Sequence, residues 1–189
     1  LLAQRLGWQF ADSDDAIEHA TGRKVPEIFA EEGEAAFRKR ECDAIRKLAQ
    51  REPIVIATGG GAVTVPETRA LLGDGFVVWL SVSPEEASRR LGQDPSTSER
   101  PLLAGDTRGR LEALLQARRE LYSAADAAID VDDLSPQIVS SELFNLWQEW
   151  ARSPVAHGDR LYGRREHEPH RLPSVLQPAA IVRTPTALY

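Results

Sequence analysis

The sequence predicts an α/β fold in which a parallel sheet lies between two layers of helices. Three observations carry that reading. Short apolar runs at 54–57, 76–80 and 127–131 alternate with longer stretches of helical character, and parallel strands need such crossover connections. The runs Ile54-Val55-Ile56-Ala57 and Phe76-Val77-Val78-Trp79-Leu80 are continuously apolar, as strands buried on both faces are. Finally, Ile138, Val139, Leu143, Phe144, Trp147 and Trp150 make one helical stripe that can lie on a sheet.

Each element has its own local reason. Residues 1–6 read as the last turns of a helix, stopped by Gly7 where a left-handed cap is cheapest. A short strand at 8–10 runs into Asp12-Ser13-Asp14, and a helix over 14–20 closes at Thr21-Gly22. Another helix opens at Pro26, and Gly33 separates it from a third over 34–51 whose face is Phe37, Cys42, Ile45 and Leu48. The strand at 54–57 feeds Thr58-Gly59-Gly60-Gly61, and a short helix covers 66–72. After the strand at 76–80 come a helix over 84–91, a Gly/Ser/Thr/Pro-rich lid at about 92–106 and a helix over 107–125. The last strand, 127–131, precedes a helix opened by Ser135-Pro136. One domain is therefore expected over residues 1–150. Residues 151–189 mix Pro, Arg, His and Gly without periodicity and are expected to be an irregular or disordered extension.

Composition narrows the function. The 189 residues carry 23 basic and 29 acidic side chains, net −6, which leaves no broad electrostatic footprint for nucleic acid or an anionic membrane. Residues 1–150 are net −9, so any anion must be held locally. A single cysteine, Cys42, excludes an internal disulfide framework and suits a reducing, cytoplasmic setting. No apolar run is long enough to span a bilayer. The chain begins with Leu and contains no Met, from which a start further upstream is expected.

Several groups could carry chemistry. Asp12 and Asp14, at a strand end with one residue between them, could aim both carboxylates at a metal ion and a hydroxyl, or one could simply cap the following helix. Arg38 and Glu41 stand one helical turn apart, so Arg38 either presents its planar fork to a substrate carboxylate or belongs to a solvated face with Lys39 and Arg40. Gly59-Gly60-Gly61 after a buried strand lets backbone amides approach a ligand, and such runs fall where open α/β sheets bind. Arg100, in the lid, could close over a phosphoryl group. Arg118 precedes Leu121-Tyr122 on a helix. His167-Glu168-Pro169-His170 is not expected to hold zinc, because Pro169 breaks the helix that such a site requires.

In order and spacing, Asp12-Ser13-Asp14, Phe37-Arg38 with Glu41, Gly59-Gly60-Gly61-Ala62, Arg100-Pro101-Leu102-Leu103 and Arg118 ahead of Leu121-Tyr122 resemble the shikimate kinase family. The resemblance implies a P-loop, nucleoside-monophosphate-kinase-like fold. It also implies transfer of the ATP γ-phosphoryl group to the 3-hydroxyl of shikimate with Mg²⁺, giving shikimate 3-phosphate and ADP, within chorismate biosynthesis. By that similarity Asp14 orients the reacting hydroxyl, Asp12 places magnesium through water, and Arg38 and Arg118 grip the substrate carboxylate. Glu41 would orient Arg38, Gly59, Gly60 and Gly61 would line the substrate, and Arg100 would reach the ATP phosphates.

One family motif is not in the 189 residues: GxxxxGK[ST], whose amides and lysine hold nucleotide phosphates. The expectation is a chain truncated before the first, mid-sheet strand and this Walker A loop. Taken alone, it would fold poorly and lack kinase turnover. Two other readings are a non-catalytic shikimate-kinase-like binding or regulatory protein and a related small-molecule kinase.

Overall fold

The computed structural model describes residues 1–51, 53–93, 107–152 and 179–183. In chain order the elements are α1 (Leu2–Leu6), β1 (Gln9–Asp12), α2 (Ser13–Thr21), α3 (Val25–Leu48), β2 (Ile54–Thr58), a 3-10 turn (Ala62–Thr64) and α4 (Pro66–Leu72). There follow β3 (Phe76–Ser81), α5 (Pro84–Gln93), α6 (Thr107–Ser123), β4 (Ala127–Asp130), α7 (Pro136–Arg152) and β5 (Ala179–Arg183). The strands form one sheet in the order β1-β2-β5-β3-β4, and every adjacent pair is parallel.

Alternate residues of each buried strand serve opposite layers, as the pleat requires. Val55, Phe76 and Val78 join Leu2, Ala3 and Leu143 in the cluster covered by α1 and α7. On the other face, Ile54 and Ile56 pack with Leu48 of α3. Val77 meets Ile45, Leu72 and Tyr122 there. This two-sided burial is why β2 is apolar from Ile54 to Ala57 and β3 from Phe76 to Leu80. Trp8, expected in the first strand, precedes β1 and meets Trp147 of α7 edge-on at 5.2 Å between centroids.

Gly33 does separate two helical segments, with a left-handed φ of 80° that strains any residue carrying a Cβ. The bend turns the second segment so that Phe37, Arg38, Glu41 and Ile45 are buried. At its end the helix stops at Leu48, three residues before the sequence suggested. Gly92 and Gln93 extend α5, and the remainder of the expected lid, Arg100 included, lies outside the described residues. Among the described residues no helix is long and apolar enough to cross a membrane.

The main correction concerns the C-terminal region. Helix α7 runs to Arg152, and Ala179–Arg183 form a strand in a stretch expected to be irregular. This β5 pairs with β2 on one side and with β3 on the other, so the mid-sheet place expected to lack its strand holds one. The run Ala179-Ala180-Ile181-Val182 is too short to declare itself by periodicity, and Pro178 and Pro185 around it read as loop. Its strand state comes from the two ladders that flank it, a tertiary effect. The chain lays β1 and β2 to one side of β5 and β3 and β4 to the other. In open α/β sheets the carboxyl ends at such a switch point are where ligands bind.

Candidate active site

Strands β1 and β2 run side by side, with Asp12 paired to Ala57, so their carboxyl ends bring residues 12–14 next to the glycine run. Asp12 is the last residue of β1 and the N-cap of α2, accepting the Asp14 amide at 2.9 Å. Capping is thus what one Asp12 oxygen does here. The strand-periodicity argument for two parallel carboxylates fails, because Asp14 already belongs to the first turn of α2.

Asp14 is different. Its Oδ1 is buried without a hydrogen-bond partner among the described residues. Burial, then the neighbouring Asp12 and Glu41 carboxylates, push its pKa up to about 7 against the pull of Arg38. A carboxyl poised there can exchange a proton near neutral pH. It also links pH to stability: the folded form holds a proton that the unfolded chain has released, so this group's contribution fades as pH rises from about 4 to about 7. Asp14→Asn should therefore be the more stable protein at pH 8, by ~2–4 kcal/mol, and equal to the parent near pH 4. Parallel urea midpoints of the two proteins across that range would refute this.

Arg38 does not belong to a solvated face with its neighbours. Lys39 beside it is exposed, but Arg38 is only 8% exposed. Its Nη1 donates to Glu41 Oε2 at 2.7 Å, and Glu34 Oε1 accepts from its Nε at 3.3 Å. The Phe29 and Phe37 rings lie 5.9 and 5.2 Å from the guanidinium. Glu41 is fully buried, and burial raises its pKa although Arg38 and then Arg118 pull it down. Its second oxygen, Oε1, has no hydrogen-bond partner among the described residues.

The glycine run is short of space for a physical reason. A Cβ at Gly59 would stand 3.2 Å from Glu41 Oε1 and 3.9 Å from Asp14 Oδ1, and one at Gly61 would overlap the Arg38 guanidinium. Two partnerless buried carboxylate oxygens and one arginine thus converge on this backbone. Gly61→Ala is expected to push the Arg38 head out of place and weaken binding of a carboxylate ligand at least about tenfold. Titration of the variant with shikimate checks this, and an unchanged Kd would contradict it.

On α6, Arg118 is half-buried and Arg119 is exposed. Burial pushes the Tyr122 hydroxyl above the usual tyrosine range, and Arg118 lies near enough to that hydroxyl and to Glu41 to oppose the rise in both. Among the described residues no group of three or more His, Cys, Asp or Glu side chains could hold a metal ion. The tail histidines, His157, His167 and His170, lie outside the described residues.

A family model described as shikimate kinase matches residues 1–148. The chain belongs to the shikimate kinase family. Among its relatives, the shikimate kinase of Synechococcus sp. (strain CC9605) is 42% identical over 155 residues, which cover 82% of this chain and 77% of that one. The shikimate kinase of Symbiobacterium thermophilum is 47% identical over 153 residues, covering 79% and 87%. The solved structure of the Acinetobacter baumannii shikimate kinase in complex with shikimate superposes with a TM-score of 0.70 at 33% identity. That match covers 78% of this chain and 83% of the other.

Within this shikimate kinase fold the structure brings Asp14, Arg38, Glu41, Gly59, Gly60 and Gly61 into one cluster, with Arg118 at its border. Asp12 joins it as a cap and Arg100 falls outside the described residues. Sequence reasoning gave Tyr122 no role. Its hydroxyl donates to Gly60 O at 2.8 Å, and the one available signal was its place four residues after Arg118.

Proposed function

We propose that this chain provides the shikimate-binding half of a kinase site that transfers the γ-phosphoryl group of ATP to the shikimate 3-hydroxyl, giving shikimate 3-phosphate and ADP. The observation that carries the reading is the convergence on Gly59–Gly61 of an arginine, held by a buried glutamate, with the partnerless oxygens of Asp14 and Glu41. A polyhydroxylated carboxylate fits that set: hydroxyl donors for the two oxygens and a planar anion for the arginine fork. Gluconate shares those features, so the choice of shikimate rests on the family.

Each residue then has one task. Arg38, kept in place by Glu41, and Arg118 hold the carboxylate from two sides. Amides of the Gly59–Gly61 run line the ring. Asp14 accepts the hydroxyl proton as the oxygen attacks phosphorus, and its pKa near 7 lets it be ionised before the step and protonated after it. Hard carboxylate oxygens suit Mg²⁺, which keeps most of its waters, so Asp12 would hold it through water. When bound, Mg²⁺ offsets charge on the phosphate oxygens. The enzyme works as a cytoplasmic monomer in this reading.

A second reading has an observation of its own. The strand that fills the mid-sheet position, β5, leads into Thr184-Pro185-Thr186-Ala187-Leu188-Tyr189, which has no glycine and no lysine to cradle phosphates. The 189 residues by themselves are therefore expected to bind shikimate without phosphorylating it. Calorimetric titration with shikimate, followed by a coupled ADP assay, tests both readings. Absence of shikimate binding would sink the first, and turnover at ordinary kinase rates would sink the second.

A further inference from the structure

We infer that Tyr122 is a positioning residue for the substrate loop: its hydroxyl clamps the Gly60 carbonyl and thereby sets the direction in which the next amide points. The inference rests on the shikimate-site reading above, but the clamp can be tested without any ligand.

The three glycine carbonyls are held in different ways. Gly59 O accepts from the Ala62 amide at 3.1 Å, and Gly61 O accepts from the Thr64 amide at 2.9 Å and the Thr64 hydroxyl at 2.7 Å. Both are bonds within the loop's own turn. Gly60 O instead takes its hydrogen bond from Tyr122, 62 residues away on α6. A peptide group is planar and trans, so the carbonyl of Gly60 and the N–H of Gly61 point in opposite directions. Holding that carbonyl against α6 turns the Gly61 amide away from Tyr122. The bond from the Ala62 amide to Gly59 O closes a turn around the Gly60–Gly61 peptide without fixing which way that peptide faces, and glycine has no side chain to bias it.

The clamp is itself restrained. Tyr122 is 1% exposed, and its ring stacks on Trp79 of β3 at 5.4 Å and 22°. Arg118, one turn earlier on α6, interacts with the same hydroxyl and with Glu41. One phenol therefore ties the glycine loop to the helix that carries the second carboxylate-gripping arginine. A buried tyrosine needs some acceptor in any fold. Here the acceptor is the middle peptide of the loop, whose orientation the ligand would read.

Tyr122→Phe keeps the ring, its volume and the stack, and removes only the hydroxyl. In the ligand-free 189-residue protein, amide hydrogen exchange of the segment 58–65 should speed up at least about tenfold, with exchange in β3 and α7 unchanged. The Kd for shikimate should rise at least about tenfold, and the control Ser123→Ala, an exposed neighbour whose hydroxyl donates to Arg119 O of its own helix, should stay within about twofold. Unchanged loop exchange overturns the clamp. Faster exchange with an unchanged Kd also overturns it, since the hydroxyl would then be structural only. If the parent protein fails to bind shikimate, the functional reading falls and the clamp is decided by exchange alone. Should Tyr122→Phe not fold, Trp79→Phe loosens the stack that restrains the Tyr122 ring and leaves the glycines unaltered: faster exchange at 58–65 with a raised Kd supports the clamp, and unchanged exchange overturns it.

Discussion

Arg38→Ala will lose shikimate affinity by two orders of magnitude or more and will destabilise the fold in the same protein. The affinity loss follows from removing a charged bidentate donor, ~3 kcal/mol or about a hundredfold. The stability loss has another origin. Glu41 is fully buried, and without Arg38 its charge has lost the partner 2.7 Å away. Breaking a buried pair from one side costs about 3–5 kcal/mol. The sign of the pH effect separates the two losses. Burial already raises the Glu41 pKa, and removing Arg38 raises it further, so protonation rescues the folded variant. A raised acid pKa means stability that is present at low pH and lost as pH rises. The gap in urea midpoint between parent and variant should therefore be widest above neutrality and narrow towards pH 4.5. Adding Glu41→Gln should recover stability without recovering binding. Equal gaps at pH 5 and pH 8 would show that Glu41 is not the cause.

Removing residues 179–189 will leave a chain without cooperative unfolding. Strand β5 gives β2 the partners Ala179 to Val182 and gives β3 the partners Ala179 to Arg183. Its loss cuts two parallel ladders and splits the sheet into the pairs β1-β2 and β3-β4, each with a newly open apolar edge. Domains of this size are stable by only about 5–15 kcal/mol, and losing a central strand exceeds such a margin. Near-UV circular dichroism and a urea titration should show loss of fixed packing and a broadened transition, with association at higher concentration. Ile181→Pro, which keeps the chain length but removes one amide from the middle strand, should act in the same direction. A sharp transition at the parent's urea midpoint in either variant would show that β5 does not complete the sheet.

What the sequence reveals, and what it hides, follows the range of the interactions concerned. Strands β2 and β3 are legible because two-sided burial demands unbroken apolar runs, and α3 because Phe37, Ile45 and Leu48 share a face with Arg38 and Glu41 near it. The glycine run is legible for its position after a buried strand. Strand β5 is not, since nothing in Ala179-Ala180-Ile181-Val182 distinguishes a strand from a loop until β2 and β3 are known to stand apart. Asp14 could be placed by motif, but its raised pKa depends on burial and on Glu41, 27 residues away. Tyr122 reads as core. Its bond to Gly60 joins residues 62 positions apart and appears only when α6 and the end of β2 are seen together.

The most direct test compares shikimate with its methyl ester by calorimetric titration, in the parent protein and in Arg38→Ala. The account predicts that the parent prefers the free carboxylate by about a hundredfold and that Arg38→Ala loses most of this preference. Equal affinity of the parent for acid and ester, or a preference that survives Arg38→Ala, would contradict a site built around that arginine.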